Sequence, residues 1–237
     1  MTKVEPNIDN YLDNHYIRKS NWLRAAVLGA NDGILSTASI AIGVATASDN
    51  RETIILATLA GLIAGALSMA AGEYVSVSSQ TDIEQADIER EKKELAEMPE
   101  VELKLLAAIY EKRGLKKETA KTVAEELTEH YALAADVRDE LGLNEVSKIN
   151  PIQAAISSCL AFVCGAALPL AVVLFFPLSQ LVYSLYVSTL FFLILLGIVA
   201  AKTGGSSILK AIARISFWGT IAMGLTAWVG HLFKITI

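Results

Sequence analysis

Asp32 and Glu73 are the only acidic side chains inside five long apolar stretches of this 237-residue sequence. A carboxylate at membrane depth costs about 2.5–3.5 kcal/mol on insertion scales, so such a residue normally faces a cavity or a partner. Asp32 sits in the small, polar run Gly29-Ala-Asn-Asp-Gly33, with Gly29, Gly33, Ser36, Ile40 and Gly43 at helical spacing around it. Small residues on that face let backbones approach closely. Glu73 opens a longer pattern. At about 100° per residue, Met69, Glu73, Glu84, Asp87, Glu91, Glu94 and Met98 fall within an arc of about 80° on a continuous helix, so thioethers and carboxylates share one face. A second acidic face follows at Glu118, Glu125, Glu129, Asp136 and Glu140. Like charges four apart on one helix face repel. Two such faces in one small unit make sense when cations lie between them. Oxygen donors suit hard divalent cations, and added methionine sulfur shifts the preference toward transition metals such as Fe²⁺. His130 points away from the acidic face, and His15 and His231 are isolated, so none is expected to be a ligand.

The elements that must position these residues are membrane helices. The apolar stretches are Ala25–Ala47, Ile54–Tyr74, Ile152–Phe176, Leu181–Ala201 and Ile215–Phe233, in a chain that is 53% hydrophobic and 19% charged. Each is near the ~20 residues that cross a bilayer as a helix. The chain therefore reads as an all-α integral membrane protein, which excludes the soluble enzyme classes and gives no reason to expect an organic cofactor. The polar start and full-length first stretch do not read as a signal peptide.

Charge is split along the chain. Residues 78–149 hold 11 Lys/Arg and 18 Asp/Glu, a local charge of −7 inside an overall −5, so the rest of the chain is +2. That sign argues against nucleic acid as a partner. With the N-terminus cytosolic, Lys3, Arg18, Lys19, Arg24, the whole acidic block, Lys202, Lys210 and Arg214 lie inside, leaving only Arg51 and Lys234 outside. The positive-inside rule thus predicts five spans, N-terminus in and C-terminus out. The expected domains are a cytosolic segment 1–24, spans 1–2 over 25–74, a cytosolic acidic domain over 75–150 and spans 3–5 over 151–237.

No Gly or Pro interrupts Glu73–Met98, so the second span can continue out of the membrane as one helix. Pro99 restarts a helix to about Arg113, ended by Gly114. A third helix is expected over about Lys117–Leu141, stopping at Gly142, and Asn150-Pro151 marks re-entry. Together these predict a three-helix insert between spans 2 and 3. Pro169 is expected to bend the third span. Cys159 and Cys164, five apart on that helix, point about 140° apart and read as packing residues.

Long glycine-punctuated strings in the chain resemble the vacuolar iron transporter family. They are Ala-Val-Leu-Gly-Ala-Asn-Asp-Gly-Ile-Leu-Ser-Thr-Ala-Ser over 26–39, Ala60 through Gln80, Asp-Glu-Leu-Gly-Leu over 139–143, and Gly-Ala-Ala-Leu-Pro over 165–169. The resemblance covers nearly the whole chain. It implies a homodimeric five-span fold with a cytosolic three-helix metal-binding domain. It also implies export of Fe²⁺, with Mn²⁺ or other divalent metals, in exchange for protons. By motif, Asp32 and Met69 match pathway residues, and Glu91, Glu94, Glu102 and Glu140 match cytosolic metal ligands. Departures are Gly61 where plant vacuolar members tend to have Glu, Glu73 where they have Gly, Leu105 at a further ligand position, and Asp136-Val137 in place of a Met-Glu pair. The transport pathway is thus expected at Asp32, Met69 and Glu73, and the metal ligands among Glu84, Asp87, Glu91, Glu94, Glu102, Asp136 and Glu140. Two other readings fit the residues: a membrane-anchored metal sensor or buffer without transport, and a helical structural or signalling protein whose acidic block binds a basic partner.

Overall fold

The computed structural model describes residues 20–142 and 150–236. Lys3, Arg18, Lys19 and His15 lie outside them, as does any side-chain statement for Arg24. Among the described residues the structure has no strand. The α-helices are α1 (Ser20–Ala47), α2 (Arg51–Glu97), α3 (Pro99–Lys112), α4 (Lys117–Asp139), α5 (Pro151–Phe175), α6 (Leu181–Thr203) and α7 (Ile208–Thr236), with a 3₁₀ turn at Leu178–Gln180 before α6. Among the described residues, five helices are long and apolar enough to cross a membrane: α1 from Ala26, α2, α5, α6 with its 3₁₀ turn, and α7. The protein is a multi-pass membrane protein. Its chain forms two compact units, one of Met1–Tyr74 with Ile152–Ile237, the other of Val75–Pro151.

In the membrane unit, small residues set the spacing. A Cβ on Gly33 of α1 would run into the carbonyl oxygen of Phe162 on α5, and one on Gly165 of α5 would run into the carbonyl oxygen of Ala30. The α1–α5 crossing is thus close backbone contact on both sides of Asp32, which is what the glycine spacing predicts. Ala38, Ala41 and Ile42 of α1 are buried with Ile54 of α2, Val172 and Val173 of α5, Leu181 and Leu185 of α6, and Met223 of α7. Phe162 and Ala166 of α5 pack with Ala66 of α2 in a second cluster. Cys159 and Cys164 are free thiols. Helix α5 runs through Pro169 unbroken.

The short loops do what their lengths require. Arg51, the first residue of α2, donates from its guanidinium to the carbonyls of Val173 (3.1 Å), Leu174 (3.0 Å) and Phe176. These are last-turn carbonyls that a helix end leaves without partners, and the cation also opposes the negative end of the helix dipole. Lys234 near the end of α7 pairs with Asp49 at 3.5 Å.

In the second unit, α2 stays helical to Glu97, and Pro99 opens α3 at its first position. Gly114 ends the α3 segment with φ +102°, a conformation that only glycine adopts freely. Helix α4 departs from expectation. It is not one straight helix but two segments meeting at Tyr131 (φ −152°, ψ 49°). The bend has a packing reason. Leu106 of α3 is buried together with both Ala124 and Ala135, which a straight helix would hold about 16 Å apart.

Candidate metal centre and membrane cavity

Two buried acids and one exposed acid of the second unit converge from three helices. Oxygens of Glu91 (α2), Glu102 (α3) and Glu140 (the last cap of α4) lie within 4.8 Å of one another. Glu91 is 0% exposed, and among the described residues neither of its carboxylate oxygens has a hydrogen-bond partner. A buried, unpaired carboxylate is costly, and the cost is met by holding a proton or a cation. Burial pushes Glu91 up to about 7, with further push from Glu140, Asp136, Glu102 and Glu94. Glu102 is raised by burial and then by Glu140 and Glu94. Asp136, also buried, is pushed up to about 6 by burial and then by Glu140, Glu102 and Asp139. The group can therefore exchange protons for a cation near neutral pH. Its donors are all carboxylate oxygens, the set that hard divalent ions favour.

The other expected ligands stand outside this group of three. Glu94 faces Arg90 at 3.7 Å, as does Asp87 at 3.7 Å. Glu84 accepts from Gln80 at 2.9 Å. Met98 is exposed just before the start of α3. The acidic face expected along α4 is broken by the bend: Glu118, Glu125 and Glu129 are exposed, whereas Asp136 is buried.

Sequence alone does not single out a set of bonds beside the cluster. Asp139 accepts hydrogen bonds from the Tyr110 hydroxyl at 2.6 Å, from Arg113 at 2.7 Å and from Arg138 at 3.1 Å. The Arg113 guanidinium also lies 5.2 Å from the Tyr110 ring centre. Burial would raise Asp139, but these three donors outweigh it and hold the carboxyl down at about 2. The available signal is the pair Tyr110 and Arg113 three apart, just before a helix-ending glycine.

In the membrane unit, Asp32, Met69 and Glu73 line one open cavity of about 530 Å³ between α1, α2 and Phe162 of α5. Ser36, Ser68 and Gly72 share its wall. Asp32, Met69 and Glu73 are each partly buried. A carboxylate, a thioether and a second carboxylate on one cavity make a mixed hard and soft donor set.

Comparison with known sequences shows the family. The VIT family profile matches residues 23–231. The chain belongs to the VIT family. It is 40% identical over 230 residues to a vacuolar iron transporter from Acanthamoeba castellanii, covering 96% of this chain and 84% of that protein. It is 36% identical to vacuolar iron transporter homolog 2.1 of Arabidopsis thaliana, covering 89% and 81%. Against vacuolar iron transporter homolog 1 of Oryza sativa subsp. japonica it is 34% identical, covering 92% and 77%. Membership spans both units, so the cavity and the carboxylate group lie in the VIT-family portion of the chain.

Proposed function

We propose that this VIT-family protein is a membrane transporter that moves divalent transition metal, Fe²⁺ or Mn²⁺, out of the cytosol in exchange for protons. The observation that carries this reading is the cavity shared by Asp32, Met69 and Glu73 within a five-span helical unit. The names of its relatives support iron as cargo. On this reading the acidic unit is cytosolic, as the distribution of Lys and Arg favours. Glu91, Glu102 and Glu140 collect the ion there, with Asp136 and Glu94 adding negative charge around them. Proton exchange follows from competition between metal and protons for the same oxygens. The working form is a homodimer. Its support is an apolar face on α2, where Leu56, Leu59, Ile63 and Leu67 are exposed at near-heptad spacing beside the open cavity.

The test is uptake of Fe²⁺, Mn²⁺, Co²⁺ and Zn²⁺ into inverted vesicles by wild type and Asp32→Ala. The expected result is accumulation by wild type, a drop of about tenfold or more in the variant, and slower uptake when an ionophore collapses the pH gradient. Equal uptake by Asp32→Ala removes the cavity from the pathway. Metal binding by wild type without uptake points to a membrane-anchored sensor or buffer, a reading that the carboxylate group alone would satisfy. Uptake indifferent to the pH gradient ends the proton-exchange part.

A further inference from the structure

At the end of α3, Tyr110 and Arg113 both reach Asp139 at the end of α4 by side-chain hydrogen bonds. Both of its carboxylate oxygens are engaged: Oδ1 by Arg113, Oδ2 by Tyr110 and Arg138. Asp139 is 5% exposed, yet it is absent from the group of three carboxylates whose member Glu140 is its chain neighbour.

Glu140 needs an anchor. It is exposed, caps the end of α4, and is followed by Gly142 at φ +68°, where the helix direction is lost. Residues at helix ends fray, and ordering a free Glu side chain and its backbone opposes binding. Its partner Glu102 sits on α3, two turns before Tyr110. Whatever fixes the end of α4 to α3 therefore fixes the distance between these two carboxylates. We propose that Tyr110, Arg113 and Asp139 form a positioning clasp that holds the Glu140 carboxylate in register with Glu102 and Glu91, and so sets the affinity of the group for a divalent cation. The inference rests on the reading of Glu91, Glu102 and Glu140 as the cation-binding group.

The experiment is Mn²⁺ binding by the full-length protein in detergent at fixed pH, read from the electron paramagnetic resonance signal of the free aquo ion. Wild type, Tyr110→Phe, Asp139→Asn, Glu140→Gln and the Asp139→Asn/Glu140→Gln double variant are compared. Loss of groups that orient a ligand costs about 10- to 100-fold in metal affinity. Tyr110→Phe and Asp139→Asn are each expected to weaken binding by about tenfold or more with the stoichiometry unchanged. In the Glu140→Gln background, Asp139→Asn is expected to add nothing, since the ligand it positions is gone. Tyr110→Phe removes one oxygen and decides the matter where Asp139→Asn fails to fold. Wild-type affinity in Tyr110→Phe and Asp139→Asn overturns the clasp. So does an unchanged Asp139→Asn effect in the Glu140→Gln background, which marks a general structural role. Tighter binding in Tyr110→Phe with a lost ion in Asp139→Asn overturns it too, because Asp139 is then a ligand. Absence of Mn²⁺ binding by wild type overturns the metal-centre reading itself, and the clasp with it.

Discussion

At the scale of single residues, Glu91 has the most to say, because among the described residues nothing donates to either of its oxygens. With its carboxyl raised from 4.5 to about 7, the folded chain holds a proton that the unfolded chain has released. Metal-free stability is then greatest below about 4.5 and falls as pH rises through about 7. Asp136, raised to about 6, acts in the same direction. Asp139 acts oppositely, but its contribution is lost only as pH falls from 3.8 toward about 2. Thermal unfolding of the metal-free protein is therefore expected at higher temperature at pH 5 than at pH 8, and saturating Mn²⁺ at pH 8 should close the gap by binding the folded state alone. Glu91→Gln is expected to weaken Mn²⁺ binding at least tenfold while raising the metal-free melting temperature at pH 8, since it removes a buried charge along with a ligand. A lower melting temperature would show that the carboxylate stabilises the fold instead. Helical spacing marks Glu91 as one acid on a striped face beside Glu84 and Asp87, and only the family motif sets it apart from them. What separates them is where α3 and the far half of α4 come to rest, and no spacing within α2 encodes that.

At the scale of elements, local signals carry most of the information. The uninterrupted α2, the Pro99 start, the Gly114 stop and the glycine face of α1 are all legible, because each depends on residues close in sequence. The bend at Tyr131 is not legible. Neither Gly nor Pro marks it, and its cause is tertiary: Ala124 and Ala135 both packing on Leu106. The α1–α5 crossing offers a direct check. Gly33→Ala drives a methyl group into backbone atoms of Phe162 and Ala166 that cannot swing aside, whereas Gly72 has nothing within 4 Å of an added Cβ. Overpacking of this kind costs about 1–3 kcal/mol. Gly33→Ala should lower the melting temperature and the monodisperse yield in detergent chromatography, and Gly72→Ala should leave both unchanged. Equal behaviour of the two variants would mean that α1 and α5 are not held at backbone contact.

At the scale of the whole molecule, the exposed apolar face of α2 is expected to meet a second copy of the chain. In a background with Cys159 and Cys164 replaced by alanine, Ile63→Cys should cross-link to a dimer in membranes under mild oxidant, and Leu195→Cys, exposed on α6, should not. Cross-linking at Leu195→Cys alone would place the contact on another face. Another property of the assembly comes from Arg51 and its surroundings. On the proposed orientation, Arg51, Asp49, Glu52 and Lys234 all belong to the outer end of the membrane unit. Arg51 is turned onto the carbonyls that finish α5, and Lys234 is neutralised by Asp49, while Glu52 stays exposed. On the proposed direction of transport, a dication released at this end meets a surface on which both Arg51 and Lys234 are already engaged by oxygens of the protein, so neither cation stands free to oppose its release.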